Sequence, residues 1–408
     1  MSWSSHWSHA DALVRKGEAI ASDSALGELL NSNRMADTLA ELYPQHPLLV
    51  LDGVRMPVWA VPIPPDQRDT IDSVLGRLAG GTPPGEMTYP YEYCPGGAPS
   101  FWRKHEQRRL LPESGRHRLT SNPTYSLSRA SLDSSGRLTL DCHLGRYFTH
   151  LATTRALGHE IVGRMCATRG TSTLAALPMR EWLHAHVSDP VMDGSRRNAA
   201  VGHSTLVVVR RRGGGYHALL PTRSGDPATD AHVRHVCPAG MFQPFSDSAI
   251  ANVADFSLEA NFRREYAEEL FAMESAERLD GHFDEFDSVR HVPLARLKNL
   301  LDTSPGSSLR IAGFCVNLLT LQPEVCLLLV IDDPDWLRDE ARVEKFPLKY
   351  GWEIAAVTDH EQSDLFELDH QFKIRTKALL QPSNLVPQAA AALKLGLDLM
   401  RSDRLTAS

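Results

Sequence analysis

The order of strands and helices that begins near residue 197 constrains the fold more than any other feature of the sequence. Apolar runs broken by turn residues predict strands here, and apolar residues at helical spacing predict helices between and after them. We predict strands at residues 201–209, 216–223, 233–237, 287–292, 309–321 and 324–331, and helices at residues 258–279 and 386–400. This succession predicts an α/β fold for the second half of the chain.

Residues 1–190 show a different mixture, which predicts an α+β region of unknown role. We predict helices at residues 25–42, 147–165 and 179–186, two short strands within 47–63 that turn at Asp52-Gly53, and a hairpin of residues 124–132 and 138–142. Since 408 residues exceed what one hydrophobic core usually holds, we divide the chain into residues 1–190 and 191–408. The Gly- and Pro-rich residues 79–100 predict a linker or a long surface loop.

The composition of the chain limits which binding partners and which cellular compartment are expected. A formal net charge of −7 argues against general binding to nucleic acid, which usually needs a basic face. The longest apolar runs are too short to cross a bilayer, and residues 1–21 are too polar for a secretion signal. The six cysteines form no CxxC pair, so neither a structural zinc site nor a disulfide framework is expected. We therefore expect a cytoplasmic protein without a membrane partner.

Three glutamates carry the strongest chemical signal. On a helix, Glu265, Glu268 and Glu269 stand at positions i, i+3 and i+4, so their carboxylates project from one face. Like charges this close repel each other, but a hard divalent cation such as Mg²⁺ or Mn²⁺ would make the cluster favourable. Arg264 stands beside them and could hold one carboxylate in place. A solvated acidic helix face is the alternative.

This stretch resembles the motif of the Nudix hydrolases. That motif runs Gly, five residues, Glu, seven residues, then Arg-Glu-apolar-any-Glu-Glu-any-Gly-apolar. Its second half is matched at Arg264, Glu265, Tyr266, Glu268 and Glu269. The resemblance covers roughly residues 197–387, and the order of predicted elements agrees with it. It implies an α/β/α sandwich with a mixed sheet, preceded here by the α+β region.

The resemblance also implies a chemistry. Nudix enzymes cleave a diphosphate linked to another moiety, commonly a nucleoside, with a divalent metal that activates water. By carry-over, Glu265, Glu268 and Glu269 would be ligands of Mg²⁺ or Mn²⁺. Glu268, Glu269 and Arg264 would be the catalytic residues, with Arg264 as the orienting partner. The substrate would be a nucleoside diphosphate derivative or another small organic diphosphate.

The sequence departs from the family motif at three positions. Gly240 lies 24 positions before Arg264, where the family places its glycine 14 before. Phe256 stands at the position of the upstream glutamate, and Phe271 stands where the family has the helix-ending glycine. Asp247, Asp255 or Glu259 could stand in for that glutamate, although none is in register. A downstream acidic run could add a ligand, with a solvated loop as the favoured alternative: Asp280, Asp284, Glu285 and Asp287.

These departures leave more than one function open, and with it whether the chain is an enzyme. The first is the metal-dependent hydrolase. The second is a catalytically degenerate Nudix-type domain used for ligand sensing, regulation or partner binding. The chain also resembles actinobacterial proteins that pair such a domain with an upstream α+β region, although no helix-turn-helix is evident. The third is a different reaction in a biosynthetic pathway.

Overall fold

The computed structural model describes residues 3–20, 24–79, 122–223, 233–245, 251–272, 292–336, 364–374 and 379–407. The helices are Trp3–Ile20, Ser24–Leu30, Asn33–Leu42, Tyr147–His150, Ala156–Ala167, Pro178–His186, Ala251–Ala254, Leu258–Phe271, Val292–Thr303 and Pro387–Ala407. The strands are β1 Leu49–Leu51, β2 Val54–Met56, β3 Val58–Pro62, β4 Leu75–Leu78, β5 Pro123–Leu132, β6 Leu138–Arg146, β7 Gly202–Arg210, β8 Tyr216–Leu219, β9 Ala239–Met241, β10 Ser308–Asn317, β11 Gln322–Ile331 and β12 Leu365–Leu368. We call Leu258–Phe271 the box helix and Pro387–Ala407 the C-terminal helix.

A seven-stranded mixed sheet forms the centre of the second half of the chain. Its strands run in the order β12, β8, β7, β11, β10, β3, and β9 pairs with the beginning of β7. The central pair of β7 and β11 is parallel, and the other pairs are antiparallel. The predicted α/β class is therefore confirmed.

Helices cover both faces of this sheet. Successive residues of β7 point to opposite faces. Val207 and Val209 join the core cluster that contains Phe262 of the box helix. Leu206 and Val208 instead join a second cluster with Leu393 and its neighbours on the C-terminal helix. The sheet thus lies between two layers, and each layer buries the apolar side chains of one face.

The first part of the chain packs directly against this sheet. Strand β3 pairs with β10 and forms an edge of the sheet. The smaller sheet of β4, β6 and β5 contributes Tyr125 to the same core cluster as Phe262 of the box helix. Residues on both sides of position 190 therefore share one sheet and one core. The division into 1–190 and 191–408 stays a prediction.

Several predicted elements differ from the observed ones. The helix predicted at 25–42 is two helices, because the Ser32 hydroxyl caps the second one by accepting from the Met35 N–H. The strand predicted at 233–237 is wrong: this segment makes isolated bridges from Arg234 to Thr222 and Leu385, and pairing with β7 begins at Ala239. The box helix ends at Phe271 rather than at 279.

Other predictions fall beyond the described residues. Most of the predicted loop 79–100 and of the strand 287–292 lies there, and Val292 begins a helix. The hairpin turn at Asp52-Gly53 is present, with φ of 50° and 86° at its two central residues. No helix within the described ranges is long and apolar enough to cross a membrane.

The crossing of the first helix, Trp3–Ile20, with the helix Ala156–Ala167 generates a prediction. A Cβ atom on Gly163 would lie 2.0 Å from the Leu13 carbonyl oxygen, and one on Gly17 would lie 1.9 Å from the His159 carbonyl oxygen. Gly163→Ala should force the helices apart and lower the free energy of unfolding by about 1–3 kcal/mol, measured by urea denaturation.

The matched control is Gly170→Ala. A Cβ atom at Gly170 would meet no atom within 4 Å, so this variant should unfold at the same urea concentration as the parent protein. Equal stability of the Gly163 and Gly170 variants would contradict the close helix crossing.

Candidate functional site

The start of the box helix is fixed by a carboxylate from the first part of the chain. Asp72 accepts hydrogen bonds from the Leu258 and Glu259 N–H groups at 2.7 and 3.1 Å, and from the Ser257 hydroxyl at 2.7 Å. The Ser257 hydroxyl in turn accepts from the Ala260 N–H. Together they satisfy the first amides of the helix and place a negative charge at its positive end.

Arg264 is buried on the inner side of this helix. One of its terminal nitrogens donates to the Asn261 side-chain oxygen at 2.8 Å and to Glu265 Oε1 at 3.0 Å. Its guanidinium carbon also lies 5.0 Å from the centre of the Phe245 ring, a cation–π contact. The contact that the sequence suggested between Arg264 and a glutamate is therefore present, with Glu265 as the partner.

Glu265 lies directly against strand β9. A Cβ atom built on Gly240 would stand 2.2 Å from the Glu265 carboxyl carbon and 2.5 Å from its Oε1. Only a residue without a side chain leaves room for the carboxylate there. Gly240 thus serves the close approach of the box helix to β9, and Glu265 is buried as a result.

Glu269 binds the main chain at the start of β9. Its Oε2 accepts a hydrogen bond from the Ala239 N–H at 2.8 Å and from the Cys237 thiol at 3.4 Å. Glu268 is the most exposed of the three glutamates, with 20% of its side chain accessible. Its Oε1 lies 3.9 Å from Arg264 Nε. Two of the three predicted metal ligands therefore already hold β9 or Arg264.

Binding of a metal ion by the donor set that the resemblance implies stays a prediction. Within the described ranges, no group of three or more His, Cys, Asp or Glu side chains is arranged to hold a metal ion. Asp255 accepts from the Phe245 N–H at 2.9 Å, and Glu259 pairs with Arg263 at 2.7 Å. The remaining acidic candidates, Asp247, Asp280, Asp284, Glu285 and Asp287, lie outside the described residues.

Phe256, at the position of the family's upstream glutamate, belongs to an aromatic cluster. Its ring centre lies 5.0 Å from that of Tyr125 on β5 and 5.4 Å from that of Phe242. Tyr125 and Phe242 are in contact as well, at 4.3 Å. This position therefore packs the box-helix loop onto the first part of the chain instead of supplying a carboxylate.

His203 is a member of this neighbourhood that the sequence did not reveal. It pairs with Gly240 across β7 and β9, is fully buried, and lies 6.2 Å from the Phe262 ring. Burial and then the nearby charge of Arg264 lower the pKa of His203 to about 3. The sequence shows only a histidine at the start of an apolar strand, which does not indicate that it is buried beside the box helix.

The lowered pKa of His203 predicts an acid dependence of stability. As pH falls below the ordinary value of 6.5, the unfolded chain takes up a proton at this histidine, but the folded protein does not until about pH 3. The stabilisation present above pH 6.5 is thus lost as pH falls. His203→Gln should flatten the decline in unfolding free energy between pH 6.5 and 4 by up to about 1.4 kcal/mol per pH unit.

Urea denaturation at a series of pH values measures this difference. The exposed His370→Gln serves as the control and should leave the slope of the parent protein unchanged. Parallel curves for His203→Gln and the parent protein would show that His203 is not held neutral by burial.

The end of the box helix gives a second prediction. Ala272 adopts a left-handed conformation, with φ 49° and ψ 38°, one residue after the position where the family has glycine. Ala272→Gly should relieve this strain and raise the free energy of unfolding by about 0.5–1 kcal/mol. Ala267→Gly, inside the same helix, should instead lower it by about 1 kcal/mol. A loss of stability in both variants would contradict the left-handed helix end.

No protein-family model matches the chain, and no curated protein matches it. The relation to the Nudix hydrolases therefore rests on the residues described above and stays a prediction.

Proposed function

We propose that residues 191–408 form a catalytically degenerate Nudix-type domain, which binds a small organic diphosphate or a nucleotide without hydrolysing it. Such a domain would act in ligand sensing or regulation. This proposal rests on the hydrogen bonds of Glu269, whose carboxylate accepts from the Ala239 N–H and the Cys237 thiol. A cytoplasmic location belongs to the same proposal.

The energetic argument concerns the groups that a metal ion would have to displace. A cation that recruited Glu269 Oε2 would compete with the buried Ala239 N–H. Leaving such a donor unsatisfied costs about 1–3 kcal/mol. Glu265 is likewise paired with Arg264 and enclosed against Gly240. These carboxylates therefore serve the attachment of the box helix to β9.

The neighbouring positions support the same proposal. Phe256 contributes aromatic packing where the family has a glutamate. Asp255 and Glu259, which could have replaced that glutamate, accept hydrogen bonds from Phe245 and Arg263. No substitute carboxylate among these residues joins Glu265, Glu268 and Glu269 in one group.

The metal-dependent hydrolase is the second candidate, and Glu268 favours it. Its side chain is partly exposed, and it lies beside Arg264, which the family uses as the orienting partner. Binding of Mg²⁺ or Mn²⁺ by Glu265, Glu268 and Glu269 stays a prediction. A further alternative is a degenerate domain that binds a partner protein instead of a small ligand.

One experiment separates these functions. Phosphate release from nucleoside diphosphate sugars, dinucleotides and nucleotides would be measured with Mg²⁺ and with Mn²⁺. The parent protein would be compared with the double variant Glu268→Gln and Glu269→Gln. We expect no metal-dependent release from either protein, and a lower unfolding free energy in the double variant, because Ala239 loses a charged acceptor.

The control variant is Glu259→Gln, which changes a glutamate on the same helix outside the Glu265, Glu268 and Glu269 group. Metal-dependent release that survives in this control but disappears in the double variant would establish the hydrolase and overturn our proposal. Calorimetry with the same compounds tests binding directly. Binding without release supports ligand sensing, whereas neither binding nor release would contradict a small-molecule role.

A further inference from the structure

A second group of polar side chains is buried in the first half of the fold, and the proposed function does not use it. We call this group the polar cluster: Tyr43, His46, Glu160, Arg180, His184 and Arg197. Arg180 and Glu160 are 0% exposed, Arg197 is 1% exposed and Tyr43 is 3% exposed. Full burial of two guanidinium groups is costly unless the charge is compensated.

The two arginines bind neutral oxygen atoms. Arg180 donates to the main-chain carbonyls of Leu157, Leu318 and Leu319, and Arg197 donates to those of Asp193 and Leu321. Among the described residues, no hydrogen bond joins either guanidinium to a carboxylate. The Nε atom of each arginine is buried and has no hydrogen-bond partner among the residues that the structure describes.

Other members of the polar cluster also keep unused hydrogen-bonding atoms. Within the described part of the chain, these buried atoms have no protein partner: Tyr43 Oη, His46 Nδ1, Glu160 Oε2 and His184 Nε2. The other Glu160 oxygen accepts from the Met179 N–H, and His46 Nε2 lies 3.0 Å from both oxygens of Asp189. Among the unused atoms, the two arginine Nε atoms can only donate, and the Tyr43 hydroxyl can donate as well as accept.

These atoms belong to one neighbourhood. The rings of Tyr43 and His184 are stacked, with centres 5.7 Å apart. The charges of Arg180, Arg197 and Glu160 all act on the Tyr43 hydroxyl. Asp189, at the more open side of the group, has 30% of its side chain exposed. Charged donors thus lie inside, and the His46–Asp189 pair lies towards solvent.

Among the fully buried members of the polar cluster, positive charge outweighs negative charge, whereas the carboxylates of Asp189 and Asp193, which also act on Arg197, are partly exposed. Two guanidinium groups face a single buried carboxylate, and burial raises the pKa of Glu160 to about 7. Buried donors with excess positive charge are the complement of an anion with several acceptor oxygens.

We propose that the polar cluster is a binding site for a small oxyanion, which accepts from Arg180 Nε, Arg197 Nε and the Tyr43 hydroxyl. A carboxylate and inorganic phosphate share this chemistry. The same two arginines hold the main chain at residues 318–321, between β10 and β11. An anion bound here would brace the contact between the first part of the chain and the sheet. This inference is independent of the proposed diphosphate ligand.

The test uses the full-length protein and its thermal unfolding midpoint. The midpoint is measured against increasing sodium phosphate or sodium formate, with sodium chloride keeping the ionic strength constant. We expect a saturable rise with one of the two oxyanions, since a ligand that binds only the folded state raises its stability. A rise with phosphate alone identifies a phosphate-type site, and a rise with formate alone identifies a carboxylate site.

Tyr43→Phe is the decisive variant, because it keeps the ring and removes one hydroxyl that has no partner among the described residues. It should fold normally in chloride but bind the oxyanion on the order of tenfold more weakly. Tyr216→Phe on β8 is the control and should keep the full response. An absent response in the parent protein, or an equal response in Tyr43→Phe, would overturn the proposal.

Discussion

The carboxylates of Glu265 and Glu269 tie the box helix to strand β9, and the arrangement of the surrounding elements depends on this contact. Both side chains are buried. Glu265 lies against Gly240, where the absence of a side chain leaves room for its carboxylate, and Glu269 accepts a hydrogen bond from the Ala239 N–H. Because a buried carboxylate must be matched by donors, the helix has little freedom to slide or rotate. Asp72 likewise accepts from the Leu258 N–H at the start of the helix, and Arg264 donates to Glu265 on its inner side.

The sequence predicted the parts of this structure that follow from local pattern. The β7–β8 hairpin, the β10 and β11 strands and the C-terminal helix came from apolar periodicity, and Arg264 and the three glutamates came from spacing. Contacts between distant parts of the chain could not be predicted: nothing in the sequence indicated that Arg234 would bridge to Leu385, or that Phe256 would pack on Tyr125. The roles of His203 and of the polar cluster likewise depend on burial by distant segments.

The molecule therefore contains two kinds of buried charged groups. Near β9, carboxylates are matched by an amide, a thiol and a guanidinium, so the charges serve attachment. Around Arg180 and Arg197, the guanidinium groups donate to main-chain carbonyls, and each Nε atom has no acceptor within the described part of the chain. The first pattern is typical of a fixed structural joint, and the second is typical of a place that gains stability from an additional acceptor. Spacing in the sequence cannot distinguish these situations.

The edge position of β3 bears on how the chain reaches its native state. Pro62 pairs with Gly313, which follows 251 positions later in the sequence. During synthesis, β3 must therefore wait for most of the chain before its partner strand emerges. Contacts this distant slow folding, because a long loop has to close before the pairing stabilises anything. Until then the edge of β10 remains open to pairing with other chains, so completion of the sheet is also its protection against aggregation.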